Sequence, residues 1–133
     1  MATFPVQRVG TILAVANVER SVEFYTERLG FRLEARYDDP PYATLERGGT
    51  RLSLAEQGHP APDRPGVTMI APPDPSRLPV VLVLEVDDAR AVEAHLTAQG
   101  AALLADPYEP PWGGCRFFVA DPDGYLVEVE QPA

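Results

Sequence analysis

The sequence predicts an α+β fold: two strand–helix–three-strand (βαβββ) modules in one chain. Three observations carry that prediction. Leu13, Val15 and Asn17 recur as Leu84, Val86 and Asp88 at a constant offset of 71, and Gly30 and Gly100 match within one residue. A unit repeated only twice is a duplicated module rather than a solenoid. Between the copies, Gly58 to Pro79 holds seven prolines, which exclude a central strand or a long helix and mark a connector. Near the end, Phe117 to Glu128 reads as two strands around Asp121-Pro122-Asp123-Gly124. There Pro122 presets φ for a type I turn, Asp121 can bond the turn backbone, and Gly124 takes the left-handed closing position.

Taken in order, Val9–Val15 alternates as a strand, with Val9, Thr11, Leu13 and Val15 on one face and Gly10, Ile12 and Ala14 on the other. Asn17 is a helix N-cap, Val18, Val22, Tyr25 and Leu29 follow at helical spacing, and Gly30 stands at the stop. Strands are expected at about Phe31–Tyr37, Tyr42–Arg47 and Thr50–Glu56, the last two joined by Gly48-Gly49. A short edge strand at Val67–Ala71 is the one element expected in the connector. In the second copy, Val80–Val86 is a strand, Asp88 an N-cap, Val92 and Leu96 a helix stripe, and Gly100 the stop. Strands are then expected at about Ala101–Ala105, Cys115–Ala120 and Tyr125–Glu130. The expected organisation is a single domain over residues 1–133: module 1 at about 6–57, connector 58–79, module 2 at about 80–131.

Composition narrows the function. A chain of 133 residues buries roughly two-thirds of its unfolded surface, enough for a core without staples. One cysteine, Cys115, rules out an internal disulfide and suits a reducing cytoplasm. Met1–Gln7 lacks the basic and apolar regions of a leader, and no apolar run reaches the roughly 20 residues of a membrane span. Twenty acidic residues against eleven basic ones give a net charge of −9, which disfavours nucleic acid. That charge either favours a cationic or neutral partner or serves solubility alone. Every basic residue is arginine, so lysine Schiff-base chemistry is excluded.

Each module's helix covers one sheet face, and the opposite faces are left to form a cavity. By alternation that side carries Gly10, Ile12 and Ala14, then Tyr42, Thr44 and Glu46, then Arg51, Ser53 and Ala55. In the second copy it carries Val81, Val83, Glu85, Leu126 and Glu128. Glu128 stands out as a carboxylate in a short apolar strand, placed either at an edge or in a cavity.

Two stretches carry a resemblance to a known family. Leu13-Ala14-Val15-Ala16-Asn17-Val18-Glu19-Arg20-Ser21-Val22-Glu23-Phe24-Tyr25, with Leu29-Gly30-Phe31, resembles the opening motif of the vicinal oxygen chelate superfamily. Asp121-Pro122-Asp123-Gly124-Tyr125-Leu126-Val127-Glu128 resembles its closing motif. That superfamily includes glyoxalase I, extradiol dioxygenases, fosfomycin-modifying enzymes and bleomycin resistance proteins. The resemblance implies paired modules, curved mixed sheets around a cavity, and a homodimer.

The resemblance also implies a divalent metal held on the first and fourth strands of each module. Those positions fall on Gly10, Ser53, Val81 and Glu128, of which only Glu128 keeps a ligating side chain. The expectation is therefore no metal and no cofactor. A shifted site using Glu46, Glu128 and a histidine is the alternative. His95 sits in the second helix and His59 in the connector, expected at the surface. Neither gives Ser53 or Cys115 a base, so no nucleophile pair is expected. Cys115 reads as a buried strand residue.

The metal-free, bleomycin-resistance-like branch is the closest in character, since it carries a Pro-Trp-Gly segment where this chain has Pro110-Pro111-Trp112-Gly113-Gly114. The expected function is binding of a cationic or aromatic small molecule such as an antibiotic, with no nucleic-acid or membrane partner. Trp112 either stacks on a planar or cationic group or packs at the dimer interface. Glu46, Glu85 and Glu128 supply negative potential, Tyr42 and Tyr108 aromatic walls, and Ser53 lies between. Arg51 either joins the ligand or pairs with one of those carboxylates. The alternative function is a lyase or isomerase with a relocated metal, or with Glu128 as base.

Overall fold

Asn17 and Asp88 begin the two helices by the same device, and everything else in each module is arranged around those helices. The computed structural model describes residues 4–133, so the leader reading lies partly outside the described residues. The described chain forms two compact units that divide within the connector, after Ala71.

The first unit runs β1 (Gly10–Val15), α1 (Val18–Glu23), β2 (Arg32–Asp38), β3 (Pro41–Arg47) and β4 (Thr50–Glu56). The Asn17 side chain accepts from the Arg20 N–H at 3.0 Å, satisfying one of the orphan donors of the first turn. After Glu23 the helix widens into a π-helical segment, Phe24–Arg28. The Thr26 hydroxyl donates to the Val22 carbonyl at 2.7 Å there, and the Phe31 N–H donates to the Tyr25 carbonyl at 2.9 Å. The strands order β1-β4-β3-β2, with β1 parallel to β4 and the other pairs antiparallel. Leu13, Val15, Ala43, Leu45, Leu52 and Leu54 form the buried side of this sheet, and Val18, Val22, Tyr25 and Leu29 are the buried residues of the helical segment.

The second unit carries β5 (Val81–Glu85), α2 (Ala89–Ala98), β6 (Cys115–Ala120) and β7 (Leu126–Gln131), with sheet order β5-β7-β6. The Asp88 side chain accepts from the Ala91 N–H at 3.1 Å. Ala89, Leu96, Phe117, Val119, Val127 and Val129 are buried. Val92, expected on the buried stripe with Leu96, is only half-buried. The Asp121 turn closes as the sequence predicts: the Gly124 N–H donates to the Asp121 carbonyl at 3.0 Å, and Gly124 has φ +90°. Both units are thus mixed sheets with a single helical segment each, the duplicated α+β arrangement the repeat predicts.

Two expected strands do not form. Ala101–Ala105 and the residues after it touch the sheet only through isolated bridges, Leu103 to Val119 and Tyr108 to Arg116. Pro107, Pro110 and Pro111 cannot donate to a ladder, so the strand expected after α2 is reduced to two points of attachment. Val67–Ala71 is likewise no strand. It is pinned by the Gly58 N–H donating to the Met69 carbonyl and the Ala71 N–H donating to Gln57 Oε1, each at 2.9 Å.

Candidate functional site

The sheet faces turned away from the helices hold the residues of interest. In the first unit, cross-strand registry sets Ala14, Ala55, Tyr42 and Tyr37 in one row, Ile12, Ser53 and Thr44 in the next, and Gly10, Arg51, Glu46 and Arg32 in the third. Apolar and charged ends are therefore separated along one face. Tyr37 and Tyr42 form a tilted aromatic pair with centroids 6.2 Å apart. Ser53 is buried, between the exposed Ile12 and the half-buried Thr44.

The charged row has a partner the alternation did not reveal. A register shift between Leu33 and Ala35 leaves Glu34 as the extra residue of a β-bulge. Its carboxylate meets Arg51 Nε at 3.3 Å, Arg32 Nη2 at 3.5 Å and Arg8 Nη1 at 3.8 Å. Arg51 thus pairs with Glu34 through its Nε. Glu46 accepts from the Gly49 N–H at 3.1 Å and from Arg32 Nη2 at 3.4 Å.

In the second unit, Glu128 lies directly between Val83 on β5 and Phe118 on β6. Val81 and Leu126 form the next apolar row, and Glu85, Glu130, Arg116 and Tyr108 the charged one. The Glu128 side chain is 13% exposed, and its Oε2 lies 3.9 Å from Arg116 Nη1. Arg116 in turn sits over the Tyr108 ring, 5.4 Å from its centroid. Three carboxylates share this face with one guanidinium, so its potential is negative. Val81 and Val83 are 39% and 45% exposed, so the apolar part of the face is open. Phe118, the cross-strand neighbour of Glu128, is a further candidate on this face, and the alternation that places Glu128 also places it.

Trp112 is 71% exposed, on a loop where the Gly113 N–H donates to the Pro110 carbonyl at 3.0 Å. It borders a pocket of about 120 Å³ shared with Arg116, Glu130 and Pro132. Exposure at this level supplies a stacking surface without fixing its occupant. Cys115 is buried, as read from its strand position. His95 is exposed on α2, while His59 is half-buried and bonded to Glu56 Oε1 at 2.6 Å.

Two helix-backed mixed sheets in one chain, the first of four strands and the second of three, define its class as a duplicated α+β scaffold. The chain is a member of the Glyoxalase/Bleomycin resistance protein/Dioxygenase superfamily, whose family model matches residues 7–129. It is 27% identical to a probable lactoylglutathione lyase of Vibrio cholerae over 129 residues, 91% of this chain and 87% of that one. Among solved structures it is similar to TnmS3, an antibiotic binding protein from Streptomyces sp. CB03234: 26% identity, TM-score 0.72, covering 100% of this chain and 99% of that one. A lactoylglutathione lyase from Agrobacterium tumefaciens shares the fold at TM-score 0.76 and 17% identity, over 96% of this chain and 94% of that one.

The residues at the superfamily's metal positions do not fit a divalent ion. Gly10 and Val81 offer no donor, the Ser53 hydroxyl is a poor ligand, and Glu128 stands among Val83, Phe118 and Arg116. A Cβ on Gly10 would lie 3.4 Å from the Cβ and 3.8 Å from the Cγ of Arg51, so the space a ligand side chain needs there is bordered by an arginine stem. Among the described residues, no three of His, Cys, Asp and Glu come together in a group able to hold a metal. No described helix is long and apolar enough to cross a membrane.

Proposed function

We propose that this protein is a metal-independent small-molecule binding protein that takes a cationic or aromatic ligand of the antibiotic kind, as a cytoplasmic homodimer whose two modules serve one domain. The observation that carries the reading is Glu128: a carboxylate 13% exposed, set between Val83 and Phe118 on an open apolar face. Such a group rewards a ligand that brings both an apolar plane and a positive charge, because the plane displaces water from Val83 and Phe118 and strengthens the ion pair. Glu85, Tyr108 and Trp112 on that unit, and Tyr42, Glu46, Arg51 and Ser53 on the other, are the remaining ligand-contacting candidates. The likeness to TnmS3 supports a binding role of this kind.

Calorimetric titration with proflavine, a planar cation, tests the reading. Saturable binding is expected, and Glu128→Gln should weaken it roughly 10- to 100-fold, the worth of one charge-assisted contact of about 1.5–3 kcal/mol. Absence of binding at millimolar proflavine would overturn it.

The relative from Vibrio cholerae favours a second reading, a lyase or isomerase with a relocated metal or with Glu128 as base. Metal analysis of the purified protein separates the binder from the metal-dependent form of that reading, and turnover lost in Glu128→Gln would mark the metal-free form. Stoichiometric Ni, Zn, Mn or Fe, retained through gel filtration, would favour the lyase.

A further inference from the structure

We infer that the open face of the first unit carries an oxyanion site, built by Arg51, Arg8 and Arg32 around Glu34 and suited to a carboxylate or phosphate group of a ligand. Three guanidinium groups gather there on two carboxylates, Glu34 and Glu46, in a chain whose net charge is −9. The carboxylates are over-shared. Glu34 divides its two oxygens among three arginines, and Glu46 also accepts from the Gly49 N–H.

The arginines, in contrast, are loosely held. Their contacts with these carboxylates run from 3.3 to 3.8 Å, well beyond the roughly 2.7–2.9 Å of a strong charge-assisted bond. Arg51 spends only Nε on Glu34. Among the described residues no bond takes its Nη1 or Nη2, a planar fork matched to two oxygens of one anion. Gly10, the cross-strand neighbour of Arg51, sets no side chain beside the Arg51 stem: a Cβ there would lie 3.4 Å from Arg51 Cβ and 3.8 Å from its Cγ. At 46% exposure, the Arg51 side chain is open to solvent yet braced by Glu34. An oxyanion arriving there neutralises the surplus positive charge and completes the bonds Glu34 cannot.

The site stands whether or not the second unit takes an aromatic cation, and its test uses a different probe and a different reporter. The Arg51 Nε–H resonance, assigned by its loss in Arg51→Gln, is followed by NMR during titration with inorganic phosphate and, separately, with glutarate at constant ionic strength. The expected result is a saturable shift with at least one of the two. Stronger binding of phosphate assigns a phosphate-bearing ligand, and stronger binding of glutarate a carboxylate. Calorimetry should then show affinity reduced at least about tenfold in Arg51→Gln and several-fold in Arg51→Lys, which keeps the charge but loses the fork. Arg77→Gln, which removes one positive charge from the connector, should leave it unchanged. No saturable shift up to tens of millimolar of either anion in the wild-type protein, or an equal loss in Arg77→Gln, would overturn the inference.

Discussion

Tyr25→Ala is expected to lower the stability of the folded protein by about 3–5 kcal/mol, the range for deleting a buried aromatic ring. Tyr25 is fully buried where α1 gives way to the π-helical segment. Its ring packs edge-on against Phe24 at 5.1 Å and against Phe31 at 5.7 Å, joining the helical segment to the residue just before β2. Removing it leaves a cavity and strips two rings of a partner, and the cost grows with how little the surroundings collapse into the space. Urea unfolding measures the loss. With a slope of roughly 2 kcal/mol/M, the midpoint should fall by about 1.5–2.5 M. Phe4→Ala is the comparison: at 71% exposure its cost should stay within about 0.5 kcal/mol. A Tyr25→Ala midpoint within the error of Phe4→Ala would show that the ring is not the brace between helix and sheet.

What the sequence made legible was whatever local chemistry decides. Asn17 and Asp88 cap their helices because a short polar side chain reaches the first-turn N–H groups from only one place. Strict alternation then assigned the faces of β1, β4, β5 and β7, and cross-strand registry keeps Gly10, Arg51, Glu46 and, in the other unit, Val83 with Glu128 on the sides expected. The misses are all non-local. Arg32–Asp38 alternates as a plain strand, and nothing in its spacing shows that β3 will accommodate one residue fewer and turn Glu34 toward Arg51. Ala101–Ala105 is apolar enough for a strand, but a strand needs a donor on every other residue, and the prolines that follow deny it a continuous ladder. The charge of each face escaped for the same reason. A total of −9 conceals a unit whose open face gathers three arginines, because charge follows registry rather than composition.

Asp121→Ala is expected to cost about 2–4 kcal/mol, more than a surface turn residue would. Asp121 is buried, and its Oδ1 accepts from the Asp123 N–H and from the Tyr125 N–H, each at 2.9 Å. Its own backbone is tied as well: the Asp121 N–H donates to the Tyr125 carbonyl at 2.8 Å. Alanine keeps the backbone bonds but leaves the Tyr125 N–H buried without its carboxylate, and an unsatisfied buried donor costs about 1–3 kcal/mol before the second bond is counted. The turn joins β6 to β7, whose register places Phe118 opposite Glu128. Because successive residues point to opposite faces, a slip of one residue would carry Glu128 to the buried side, which the core at Val127 and Val129 resists. The variant should therefore lose stability while retaining register. Asp121→Asn separates the contributions: it keeps Oδ1 as an acceptor and should recover more than half of the loss in thermal unfolding. If Asp121→Asn is as unstable as Asp121→Ala, acceptance at Oδ1 is not what holds the turn. If proflavine affinity falls in Asp121→Ala beyond what its unfolded fraction explains, the turn fixes the geometry around Glu128 as well as its stability.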